Sequence, residues 1–249
     1  MILTKRLMAF MALLIVSLNT WAAEPDWSAY ADVLKSVSPG TKNSVKLALV
    51  DYQALKANGK LEAAYQQIAN FPVNSLANKD EKLAFYINAY NILALKTVVG
   101  HWPLDSIKDV GSLISPVWGK TAGSIDGDNV SLDDIENKTL RPLGEPRIHF
   151  AIVCASVSCP DLRDTPYTAA KINSQLDEQA KKFLANADKG LRVDKESIHV
   201  SKIFDWFGKD FKAVGGVEAF IRQYRPDLPN LPLEKDINYD WDVNGITAK

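Results

Sequence analysis

The sequence predicts an α+β fold: a helix-rich single domain in which a central buried helix packs on a small, largely antiparallel sheet. Three observations predict it. One long stretch, Leu83–Val99, is apolar on nearly every side. The strand signals come in short pairs around turns. Helical segments outnumber strands and do not alternate with them, which favours α+β over a doubly wound sheet.

The chain opens with Lys5 and Arg6, a run of 12 residues from Leu7 to Leu18 that is apolar apart from Ser17, and then Asn19, Thr20, Trp21 and Ala22. This is the pattern of a secretory signal peptide. The apolar run falls short of the roughly 20 residues a bilayer span requires. Residues 1–22 are therefore expected to be cleaved near Ala22, leaving a mature domain that is periplasmic or secreted and has no membrane span. Residues 23–77 are expected to form an N-terminal helical segment packed on a core of residues 78–249. The chain holds 29 basic and 30 acidic residues with no block of like charge, so electrostatic attraction to nucleic acid has no support.

Residues 24–75 read as amphipathic helix, with Tyr30, Val33 and Leu34 on one face and a second stretch at 61–68. Asn78 followed by Glu81 resembles a capping box, and Gly100 is a natural stop for the helix it opens. Such an all-round apolar helix belongs in the middle of a protein. Thr121–Ile125 and Asn129–Ser131 flank an Asp126-Gly127-Asp128 turn. Ser131 with Asp134 opens a helix ahead of Pro142. Ile148–Ala155 is short, apolar and β-branched, which predicts a buried strand. Residues 168–186 carry Ile172, Leu176, Ala180 and Leu184 at helical spacing. A second hairpin is predicted around Lys195-Glu196, then helices bearing Phe204, Phe207 and Phe211 and spanning 217–225.

Several stretches carry a resemblance: DEKLAFYINAYNILALKTVVGHWP (80–103), SLDDIENKTLRP (131–142), RIHFAIVCASVSCPDLR (147–163), SKIFDWFGKDF (201–211) and YDWDVN (239–244). In this order they resemble the family called domain of unknown function 547, over roughly residues 78–244. The resemblance implies an exported bacterial member of that family. It implies no particular catalytic residues, so the site rests on chemistry.

The reactive side chains concentrate in residues 147–163. Three readings of the two cysteines stand side by side: a Cys154–Cys159 disulfide, favoured by an oxidising compartment; a nucleophilic thiolate, Cys159 or else Cys154, served by His149 as base; or two packed, inert thiols. On a strand, His149 and Cys154 would point to opposite faces, which makes Cys159 the preferred nucleophile. Asn88 and Asn91 lie three apart on the central helix and must find partners if buried. They either tie the helix to loop backbone or line a pocket together with Ser156 and Ser158. A helix facing a histidine-bearing strand also resembles the papain/transglutaminase layout, here with Asn in place of the helix cysteine.

His101, His149 and His199 are scattered, and no metal or cofactor motif occurs; His101 and His199 are expected at the surface. The expectation is thus an exported thiol-dependent hydrolase or acyl transferase acting on a peptide-like envelope substrate. The alternative is a non-catalytic binding module for a peptide, glycan or partner protein.

Overall fold

The computed structural model describes residues 24–246. The expected signal peptide, residues 1–22, lies outside the described residues.

Helix α4 (Lys79–His101) is the axis of the molecule. Asn78 caps it: its Oδ1 accepts from the Glu81 backbone N–H at 3.0 Å, and the Glu81 carboxylate reaches back to the Ala77 N–H at 2.6 Å. The helix is long and apolar enough to cross a bilayer, yet 72% of its most apolar stretch is buried inside the protein. That burial explains the sequence: a helix covered on all sides has no polar face to show. α2 (Tyr52–Asn58) and α3 (Lys60–Ala69) pack on it, and α1 (Ser28–Leu34) packs on α3.

The reading of residues 24–75 as helical is overturned in one place. Strands β1 (Val37–Lys42) and β2 (Val45–Val50) form an antiparallel hairpin between α1 and α2. Asn43 and Ser44 adopt φ of 50° and 65° at its tip, the left-handed pair that turns a two-residue hairpin. The predicted hairpin of β3 (Thr121–Ile125) and β4 (Asp128–Ser131) is present, turning on Asp126 and Gly127 at φ 51° and 82°. Ser131 and Asp134 then bond reciprocally at the start of a π-helix, Asp134–Leu140.

Helix α5 (Ile172–Ala185) buries Ile172, Leu176, Ala180 and Leu184. It leads into β5 (Leu191–Val193) and β6 (Ile198–Ser201), then α6 (Ile203–Trp206), α7 (Val217–Tyr224) and β7 (Leu233–Ile237). β5 pairs antiparallel with β6, and β6 parallel with β7. Among the described residues the named strands make three small sheets rather than one, antiparallel in every strand pair but β6–β7.

The second correction concerns residues 148–155. They form no strand. Pro146–Phe150 is a 3-10 helix, opened by Pro146 and by a Glu145 side chain that accepts from the Arg147 N–H, and a turn follows. The segment is the seam between two cores. Ile148, Ala151, Ile152 and Val153 pack into the large core around α4, while Phe150 faces the second core with Phe183, Phe204, Phe211 and Phe220. A segment covered on every side is apolar without period, so strand and buried turn look alike in sequence.

Candidate functional site

Asn91 replaces the neighbour that a strand would have had. Its Nδ2 donates to the Ala151 carbonyl at 3.0 Å and its Oδ1 accepts from the Val153 N–H at 2.8 Å. Asn88 makes the same two-way bond with the backbone of Tyr167, at 2.8 and 2.9 Å. Both amides are buried, and each has its oxygen and its nitrogen hydrogen-bonded. They tie α4 to backbone, as the simpler of their two readings expected, and neither lines the cleft described next.

Cys154 and Cys159 are joined as a disulfide, with their Cα atoms 6.2 Å apart, within the span such a bond requires. Ala155, at φ 61°, bends the chain left-handed directly after Cys154. The last described segment fastens the rest of the loop. Val157 N–H donates to the Asp242 carbonyl (2.8 Å), Ser158 N–H to the Asp240 carbonyl (3.2 Å), and Asn244 N–H to the Ala155 carbonyl (2.9 Å). Ser158 Oγ accepts from Asp240 N–H at 2.8 Å, so it positions backbone and is not a ligand contact. From below, buried Lys189 donates to the Cys159 carbonyl at 2.6 Å and to Asp161 Oδ1 at 2.7 Å.

The disulfide lies on one wall of a cleft of about 290 Å³. His149 lines the same cleft as Cys154 and Cys159. The imidazole stacks on Phe207, with centroids 4.1 Å apart, and its Nε2 lies 2.8 Å from Asp210 Oδ2. Asp210 in turn receives Arg141 in a two-point pair at 2.6 and 2.9 Å. Burial holds the imidazole down to about 4, against the pull of Asp210, and the Arg141 charge adds to the depression.

The π-helix and its approach also line the cleft, through Asp133, Glu136 and Asn137. A π-turn often marks a functional position. Burial pushes the Glu136 carboxyl up to about 7, only partly offset by Arg141. Its Oε2 lies 3.4 Å from the phenol oxygen of Tyr90.

Aromatic rings complete the cleft. Trp206 and Trp241 stack with centroids 5.8 Å apart and planes at 26°. Tyr239 sits 4.9 Å from the first and 4.5 Å from the second. Trp118 lies 6.1 Å from Trp241. The phenol oxygen of Tyr239 is 3.2 Å from each sulfur and 3.3 Å from Ser156 Oγ. Ser156 therefore supports the ring from beneath and is itself buried.

Sequence reasoning missed Glu136, Asp210, Tyr239 and Trp241. A usable signal was present: every one of the five stretches that carried the family resemblance contributes to this cleft, and Trp118 alone comes from outside them. His149 stands in a 3-10 turn, so the strand that a papain- or transglutaminase-like layout places behind its histidine is not there. His101 is exposed in the last turn of α4 as expected. His199 is not simply at the surface: its ring is wedged between Asp194 and Asp236 at 2.8 and 2.9 Å. Among the described residues, no group of three or more His, Cys, Asp or Glu side chains is placed to hold a metal ion.

Residues 73–184 match a family described as protein of unknown function, DUF547. The match takes in α4, the π-helix and the disulfide loop, while Trp206, Tyr239 and Trp241 lie beyond it. No curated protein and no solved structure matches the chain.

Proposed function

We propose that this is a non-catalytic binding module, working outside the cytosol, whose cleft takes a glycan. The observation that carries the reading is the cluster of rings made by Trp118, Trp206, Tyr239 and Trp241 in a cleft that Asp133, Glu136 and Asn137 also line. A sugar ring has an apolar face of C–H bonds and an equator of hydroxyls. Flat aromatic faces match the first, and carboxyl and amide groups match the second. Sites of this kind are concave and largely apolar, with a few convergent polar groups.

The thiol-hydrolase reading has less support. It needs a thiolate, and both sulfurs are committed to each other. Placement outside the cytosol is supported by the signal-like pattern of residues 1–22 and by the disulfide, which needs an oxidising compartment to form.

The test is titration with chitooligosaccharides, cello-oligosaccharides and soluble peptidoglycan fragments, followed by tryptophan fluorescence and calorimetry. One of these classes is expected to shift the fluorescence saturably. Trp206→Ala and Trp241→Ala should each weaken binding about tenfold or more, as loss of a buried aromatic contact does. Trp206 is 47% exposed, so its variant should keep its thermal midpoint. Unchanged fluorescence with all three classes, or full affinity in Trp206→Ala, overturns the reading.

A further inference from the structure

We propose that Cys154–Cys159 is an exchangeable disulfide, opened from the cleft by a dithiol at Cys154 with Cys159 as the sulfur that leaves. The proposal is separate from the glycan reading, because it stands on the sulfurs and not on the indoles.

The two sulfurs are not equivalent. Cys154 is half-buried on the cleft wall, whereas Cys159 is 2% exposed. An incoming thiolate can reach the first and not the second, and access is one of the factors that decide which sulfur is attacked. The leaving side is prepared as well. Cys159 Sγ accepts from the Cys154 backbone N–H at 3.0 Å and from the Tyr239 phenol at 3.2 Å. Ser156 Oγ donates to the phenol oxygen at 3.3 Å, which leaves the phenol proton available to sulfur. The phenol oxygen is equally close to Cys154 Sγ, at 3.2 Å, so the donor that serves Cys159 alone is the Cys154 N–H. Once the bond opens, both donors lie within reach of the departing sulfur; they stabilise it as a thiolate, and a better leaving thiolate departs faster.

The loop does not need the bond to keep its shape. Residues 155–158 are held by backbone hydrogen bonds to 240–244, and the Cys159 carbonyl by Lys189. A bridge spanning five residues also constrains the unfolded chain little. Exposed to a cleft, served by donors and dispensable for the local fold, this disulfide is arranged for exchange.

The exchange balances as follows. A donor thiolate attacks Cys154 Sγ and forms a mixed disulfide; the Cys154–Cys159 bond breaks and its electron pair goes to Cys159 Sγ. The donor's second thiolate then attacks its own sulfur in the mixed disulfide and releases Cys154. Two electrons and two protons pass from the dithiol to the cystine. The donor becomes a disulfide and the protein a dithiol.

The test is the reduction rate of the oxidised full chain with dithiothreitol at neutral pH, followed by acid quench and thiol alkylation. The reference is the oxidised peptide Cys-Ala-Ser-Val-Ser-Cys, which has the same loop without its surroundings. The protein should be reduced about tenfold faster than the peptide, with its circular dichroism unchanged. Reduction no faster than in the peptide, or only with loss of the dichroism, overturns the proposal, and this comparison needs no variant to fold. Tyr239→Phe should slow reduction about threefold to tenfold through the lost donor. In Cys159→Ser, Cys154 should form a mixed disulfide with oxidised glutathione, releasing one glutathione thiolate, whereas Cys159 in Cys154→Ser should not. The reverse order would also sink it.

Discussion

His149 Nε2 and Asp210 Oδ2 lie 2.8 Å apart, and yet the histidine is held neutral. A carboxylate that close ordinarily favours imidazolium. Here burial dominates, and Arg141, paired to both oxygens of Asp210, has already balanced its charge. Arg141→Met should therefore raise the His149 pKa by about one unit or more, read from its ring proton shifts in an NMR titration. The folded value lies below the unfolded value of 6.5. The stability this group contributes is thus present above pH 6.5 and lost as pH falls toward 4. Urea midpoints of the wild type should drop over that window, and those of His149→Gln should drop less.

Glu136 titrates in the opposite sense. Its folded value of about 7 stands above the ordinary 4.5, with burial as the main cause. Stability from the neutral form is complete below pH 4.5 and is lost as pH rises through 7. Glu136→Gln keeps a neutral group of the same size. Its advantage over the wild type should therefore grow between pH 5 and 8, to roughly 3 kcal/mol at most. Denaturant titrations at four pH values check the slope, and a flat difference would count against a buried neutral acid.

Asn91→Ala removes one side chain and strands two backbone groups, the Ala151 carbonyl and the Val153 N–H. Each buried group without a partner costs about 1–3 kcal/mol, so the variant should lose about 2–4 kcal/mol in urea unfolding. Hydrogen exchange at Val153 should quicken more than exchange at Tyr167, which Asn88 serves.

Lys189 is 2% exposed and paired with Asp161 beneath the disulfide loop. Burial lowers its pKa, opposed by the Asp161 charge. Lys189→Met should cost about 3–5 kcal/mol, because Asp161 loses its buried partner. Lys182→Met, on a half-exposed lysine that also touches Asp161, should cost under about 1 kcal/mol. Equal losses for the two variants would show that the buried pair has no special weight.

What could be read in the sequence follows from where each contact lies along the chain. The α4 cap joins residues three apart and the α5 stripe repeats every four, so both are visible locally. Residues 148–155 gave a false strand because the two cores cover them on all sides. The hairpin β1–β2 is hidden because Pro-Gly ordinarily interrupts regular structure, while Pro39-Gly40 here lies inside a strand with Asn43 and Ser44 at the turn. The cysteine pair and His149 were legible as residue types. Their partners were not: Asp210 is 61 residues from His149, and Tyr239 is 85 from Cys154. No local period marks such pairs.

The segment 239–245 touches nearly everything that matters. It bonds β2 through Val50, fastens the disulfide loop, and supplies Tyr239 and Trp241 to the cleft. A ribosome makes these residues after every other part of the site. The α4 core can begin to settle while synthesis continues, since chains fold from the N-terminal side as they emerge. The cleft cannot. Until the last strand-like stretch docks, the sulfurs of Cys154 and Cys159 lack their phenol and the indole wall lacks its middle ring. Completion of the site therefore waits on this segment, and a chain interrupted before residue 239 would hold a formed core around an unfinished cleft.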